Sequence, residues 1–160
     1  MPLSATAATI DSKTACRAED VITSLAGVAP DKLDFFGKPK GQGSFACEAY
    51  FSFKLYAEVW TRINDLAATL KTTEAMCTIN GLVTLPKLDA LQMTYDITAA
   101  GQFTVTSVNN GLPTDARRLS GRLKAGLARL AALRDADDDT IYRQFARRNC
   151  PEADYPDEME

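Results

Sequence analysis

The chain has 160 residues, 46% of them apolar and 24% charged, a net charge of −3 and no histidine. Length and composition suit one globular domain with a sizeable core, and no apolar run is long enough to span a membrane. Without histidine there is no Ser-His or Cys-His catalysis, no histidine metal ligand and no histidine pH switch; carboxylate, Lys, Tyr or Ser-Lys chemistry and oxygen-held ions are what remain.

Residues 1–13 are small and polar and are expected to form a flexible N-terminus. They lack the charged start and apolar stretch of a secretory leader, so a cytoplasmic location is expected. From Thr14 to Ala26 the pattern is helical, with Val21, Ile22 and Leu25 on one face, Gly27 at the cap and Pro30 beyond. "FFGKPKGQGS" (35–44) reads as a loop by its glycines and proline. "GQGSFA" (41–46) fits G-x-G-x-x-A but follows a loop and opens a strand, so it is no dinucleotide fingerprint. Lys38 and Lys40 are candidates for contact with an anion.

"FACEAYFSFK" (45–54) alternates. Phe45, Cys47, Ala49, Phe51 and Phe53 face a core, and Glu48, Tyr50 and Ser52 face outward as a solvated strand face or a binding surface. Residues 55–71 switch to the helical period through Leu55, Val59, Ile63, Leu66 and Leu70. Tyr56 is a candidate interface anchor, and Trp60 is expected in the core. "AMCTINGLVTL" (75–85) reads as a strand with Gly81 as a bulge. Residues 90–97 and 103–108 form a hairpin across "TAAGQ", and "NNG" turns the chain again.

Residues 1–114 carry nine Lys/Arg and eleven Asp/Glu, residues 115–148 nine and five, and residues 149–160 five acids and no base. The basic region is the helix "RRLSGRLKAGLARLAALR", which Thr114 or Asp115 can cap. Leu119, Leu123, Gly126, Leu127, Leu130 and Leu133 make its inward face. Gly121 and Gly126 weaken it, and a close approach to another element would explain them. Arg118, Arg122 and Arg129 run along one flank. They are read as a solvated face or as a surface for a phosphate or an acidic partner. "DADDD" (135–139) opens like a calcium loop, but Thr140 and Ala146 stand where glycine and a bidentate glutamate are required. It is expected to be an acidic linker whose Asp139 starts a helix over 140–148.

The cysteines, Cys16, Cys47, Cys77 and Cys150, form no C-x-x-C pair, which rules out a zinc ribbon or a thioredoxin-like motif. They are expected as free, mostly buried thiols, with a disulfide left open by their spacing. The element order is α-β-α-β-β-β-α-α. It predicts a single α+β domain over 14–149, about four mostly antiparallel strands with helices packed on one face, and an acidic tail over 150–160.

The segment from "GSFACEAYFSF" through "VWTRINDLAATL" and "CTINGLVTL" to "LQMTYDITAAGQFTV" resembles small bacterial immunity proteins of the WapI-associated kind. Phe45, Phe53, Leu66, Leu70, Gly101, Phe103 and Val105 occupy that family's pattern over about residues 43–108. The resemblance implies a non-enzymatic protein that binds and neutralises a toxin, and its motifs set no toxin-contacting residue.

Together the sequence predicts a non-enzymatic protein-binding module without cofactor or metal, an immunity or inhibitor protein of a bacterium or phage. Its candidate contact residues are Arg118, Arg122, Arg129, Arg143, Arg147, Tyr50 and Tyr56. The alternative is a nucleic-acid-associated accessory protein that uses Arg118, Arg122, Arg129, Arg143, Arg147 and Arg148.

Overall fold

The computed structural model describes residues 12–148 and 150. The fold is α+β, with five antiparallel strands rather than about four. The chain divides into two compact units: residues up to Phe53 with Leu88–Ala125, and Lys54–Lys87 with the residues from Gly126 onward.

The first unit holds the sheet. Its strands are β1 (Lys32–Gly41), β2 (Ser44–Ser52), β3 (Leu91–Thr98), β4 (Phe103–Val108) and β5 (Leu112–Pro113), in spatial order β1-β2-β3-β4-β5. The expected loop over 35–44 is therefore mostly a strand. Pro39 fits because β1 is an edge strand, where a missing N–H breaks no ladder. Gly43, at φ +69°, lets the chain reverse between β1 and β2.

Period-two alternation gives the sheet one buried face. Cys47, Ala49, Phe51, Met93, Tyr95, Ile97 and Val105 lie there, all under 10% exposed. The helix expected over 14–26 breaks at Arg17, which takes a left-handed φ of 46°. Its pieces are α1 (Ser12–Ala15) and α2 (Ala18–Ala26). α2 buries Val21, Ile22 and Leu25, and Gly27 caps it by donating its N–H to the Thr23 carbonyl at 2.8 Å. Between the pieces, Cys16 is disulfide-bonded to Cys47, with Cα atoms 5.9 Å apart. The Tyr95 hydroxyl donates to the Cys16 carbonyl at 2.7 Å, and burial pushes that phenol's pKa well above its usual value. Gly37 leaves room for α1: a Cβ there would lie 2.8 Å from the Ser12 carbonyl oxygen.

"NNG" turns the chain as expected, with Asn109, Asn110 and Gly111 all at positive φ. α5 (Ala116–Asp135) follows, and Asp115 caps it by accepting from the Arg118 N–H at 2.8 Å. Leu119 and Leu123 are buried. Gly126 is buried as well, but Gly121 is exposed and a Cβ there would meet nothing within 4 Å. The close approach expected at Gly121 is absent.

The second unit is helical. α3 (Lys54–Ala67) buries Val59, Ile63 and Ala67 at one-turn spacing. Trp60 sits off that stripe and is 40% exposed, so the core placement expected for it does not hold. The strand expected over 75–85 is α4 (Thr72–Asn80) followed by a 3-10 turn, Gly81–Thr84. A short, mostly apolar segment broken only by Thr78, Asn80, Gly81 and Thr84 carries no clear period that separates strand from helix. Leu130 and Leu133 of α5 are buried, followed by α6 (Asp138–Ile141) and a π-helical stretch, Tyr142–Arg147, that buries Phe145. Cys150, expected in the tail, is buried and disulfide-bonded to Cys77 at a Cα separation of 5.3 Å. All four cysteines are paired and none is a free thiol.

Candidate partner-binding surfaces

The sheet's other face is open, and register builds a site on it. Asp34 lies opposite Tyr50 and Tyr50 opposite Gln92; in the next row Phe36 lies opposite Glu48 and Glu48 opposite Thr94. Phe36 and Tyr50 are 54% and 44% exposed, and their rings meet edge to face with centroids 6.1 Å apart. The Tyr50 hydroxyl donates to Glu48 Oε2 at 2.7 Å, and Gln92 Nε2 donates to the same oxygen at 2.9 Å. Gln92 Oε1 in turn accepts from the Asn110 N–H at 2.9 Å. Bonding to the Glu48 carboxylate raises the Tyr50 pKa, so the phenol stays a neutral donor at physiological pH. Two shallow hollows flank the pair. One of about 540 Å³ lies beside Asp34, Tyr50, Gln92 and Asn110, and one of about 460 Å³ beside Phe36, Glu48 and Thr94. Lys40 is committed to an ion pair with Asp96 rather than open to an anion.

A second surface lies on the first turns of α5. Asp115, Arg117, Arg118, Gly121, Arg122 and Ala125 line a groove of about 620 Å³. Arg118, Gly121, Arg122 and Ala125 share one helical face by their spacing of three and four, while Leu119 and Leu123 point into the core. Asp115 is already used as the cap. Among the described residues, the side chains of Arg117, Arg118 and Arg122 make no ion pair or hydrogen bond.

The structure brings together Arg118 and Arg122 from the candidate set, and it places Tyr50 on the open sheet face. The other candidates belong to the second unit. Arg129 makes long contacts to Thr84, at 3.4 Å to its carbonyl and 3.5 Å to its hydroxyl. Arg143 pairs with Asp139 at 3.0 Å. Arg147 and Arg148 are exposed, and Tyr56 is half-buried on α3.

"DADDD" has a structural use at each aspartate. Asp135 pairs with Arg134 at 2.9 Å, Asp138 with Arg62 at 3.1 Å and Asp139 with Arg143. Asp137, two residues before the expected helix start, caps α6 by accepting from the Thr140 N–H at 2.8 Å. Hydrogen bonds from the Thr140 side chain and backbone hold its pKa below the usual carboxylate value. Among the described residues no group of His, Cys, Asp and Glu is placed to hold a metal ion, and no helix is long and apolar enough to cross a membrane.

Reading 35–44 as a loop concealed Phe36 and its contact with Tyr50. The signal was there: Lys32, Asp34, Phe36, Lys38 and Lys40 alternate with Leu33, Phe35, Gly37 and Pro39. Comparison with protein-family models, curated proteins and solved structures gives no match for the chain.

Proposed function

We propose that this chain is a non-enzymatic protein-binding module that holds its partner on the open face of the sheet. One observation carries the reading: two exposed aromatic rings stand in contact on the β1–β2 side of that face, beside polar groups already hydrogen-bonded to one another. Interfaces concentrate their energy in a few aromatic or arginine anchors within a polar rim. Ordering the Tyr50–Glu48–Gln92 group before contact reduces the entropy lost on binding. An immunity or inhibitor protein, the class implied by the WapI-associated resemblance, is the narrower form of this reading.

The two disulfides favour an oxidising compartment over the reducing cytoplasm expected from the sequence. The nucleic-acid reading keeps one observation in its favour, the three arginines of the α5 groove, which among the described residues have no carboxylate partner.

Affinity capture from the source organism tests the proposal, comparing the native chain with a Phe36→Ser/Tyr50→Ser variant. The expected result is a stoichiometric protein partner that the variant loses. Recovery of nucleic acid alone, or of a partner the variant keeps, overturns it.

A further inference from the structure

We infer that the groove on α5 is a second docking surface and that its occupant is an acidic helix of the partner protein. The inference takes from the preceding reading only that the partner is a protein.

Charge is the first argument. Arg117, Arg118 and Arg122 face the groove, and among the described residues the one carboxylate lining it, Asp115, is turned to the backbone as a helix cap. Three guanidinium groups within two helical turns repel one another, and an incoming row of carboxylates relieves that repulsion. Arginine suits the role because its planar fork grips a carboxylate with two parallel hydrogen bonds.

Shape is the second argument. The groove floor is Gly121 and Ala125, one turn apart, and nothing lies within 4 Å of where a Gly121 Cβ would be. A glycine inside a 20-residue helix costs about 1 kcal/mol relative to alanine, and no neighbour among the described residues requires it. A floor without side chains admits a second helix at close range, since interaxial distance is set by the side chains at the contact. Arg118 and Arg122 then meet glutamates at the same i, i+4 spacing on the partner.

Two observations favour acidic protein over nucleic acid. Among the described residues the groove has no aromatic lining on which a base could stack. The chain's net charge of −3 opposes a long polyanion but little affects a short acidic helix, because charges beyond about 8 Å are screened at physiological salt.

The test is a fluorescence-anisotropy titration of the disulfide-intact chain. The probe is a labelled alanine-based helical peptide with glutamates paired at i, i+4, and a labelled duplex DNA serves as the second probe. Arg118→Gln/Arg122→Gln removes two of the three charges and keeps the groove open, whereas Gly121→Leu fills the groove and keeps all three. The expected result is peptide binding that weakens at least about tenfold in each variant and falls with added salt. Absent peptide binding, peptide binding that either variant leaves unchanged, or tighter binding of the duplex that the arginine variant abolishes each overturns the inference. A natural partner that the Phe36→Ser/Tyr50→Ser variant loses but both groove variants keep overturns this inference and leaves the protein-binding reading standing.

Discussion

Arg62, Arg134 and Arg143 of the second unit and the groove arginines of the first are used in opposite ways, although the first unit also holds Arg17, which donates to the Ala99 carbonyl at 3.2 Å. In the second, Arg62 donates to the Leu133 and Arg134 carbonyls at 2.7 and 2.9 Å and to Asp138 at 3.1 Å, so one guanidinium closes the C-terminal end of α5. Arg134 and Arg143 are likewise paired with aspartates. In the first, Arg117, Arg118 and Arg122 line a groove and hold nothing together among the described residues. Charge density along the sequence does not separate these cases. The distinction comes from the cluster of aspartates beyond Ala125, which pairs with Arg62, Arg134 and Arg143 of the second unit.

Each disulfide ties together one unit, and removing either should have the largest effect on stability. A Cys16→Ser/Cys47→Ser or a Cys77→Ser/Cys150→Ser variant should lose about 2–4 kcal/mol in urea unfolding. An unchanged midpoint under reductant would show that the cysteines do not constrain the chain. Arg62→Gln comes next. Loss of hydrogen bonds from a charged group to two helix-end carbonyls should cost about 1.5–3 kcal/mol.

Asp137→Ala should also lower the melting temperature, by removing the cap of α6. The pKa of Asp137 is lower in the folded chain than in the unfolded one. Its contribution is therefore complete above the unfolded value and is lost as pH falls through the folded value, below about pH 4. A thermal-melt series in acid should show the native chain converging on the variant. In the first unit, Gly121→Ala should raise stability by about 0.5–1 kcal/mol, because an exposed helical glycine with no neighbour gains from a methyl group. A loss there would mean that Gly121 is needed by the fold rather than by a partner.

Where residues alternate or recur with a strong period, the fold was legible in the sequence. Residues 45–54, the 91–108 hairpin and the leucine face of α5 fall where the pattern puts them. β1 was hidden because Gly37, Pro39 and Gly41 all signal a loop, and only its place at the sheet edge makes them acceptable. Residues 75–85 carry no clear period, because Thr78, Asn80, Gly81 and Thr84 interrupt their apolar residues irregularly, and the disulfides are hidden because pairing depends on the distance between Cα atoms. Of the candidate site, Tyr50, Arg118 and Arg122 were legible as exposed residues. The alternation over 32–40 marks Phe36 as outward-facing, but its contact with Tyr50 and that of Gln92 with Glu48 depend on cross-strand register, which the sequence does not show.

The contrast between structural and free arginines is tested most directly by urea unfolding of Arg62→Gln and Arg118→Gln/Arg122→Gln side by side with the native chain. The first should lose about 1.5–3 kcal/mol and the second should stay within about 0.5 kcal/mol. Comparable losses in both, or a loss confined to the α5 pair, would contradict the assignment of the groove arginines to a partner.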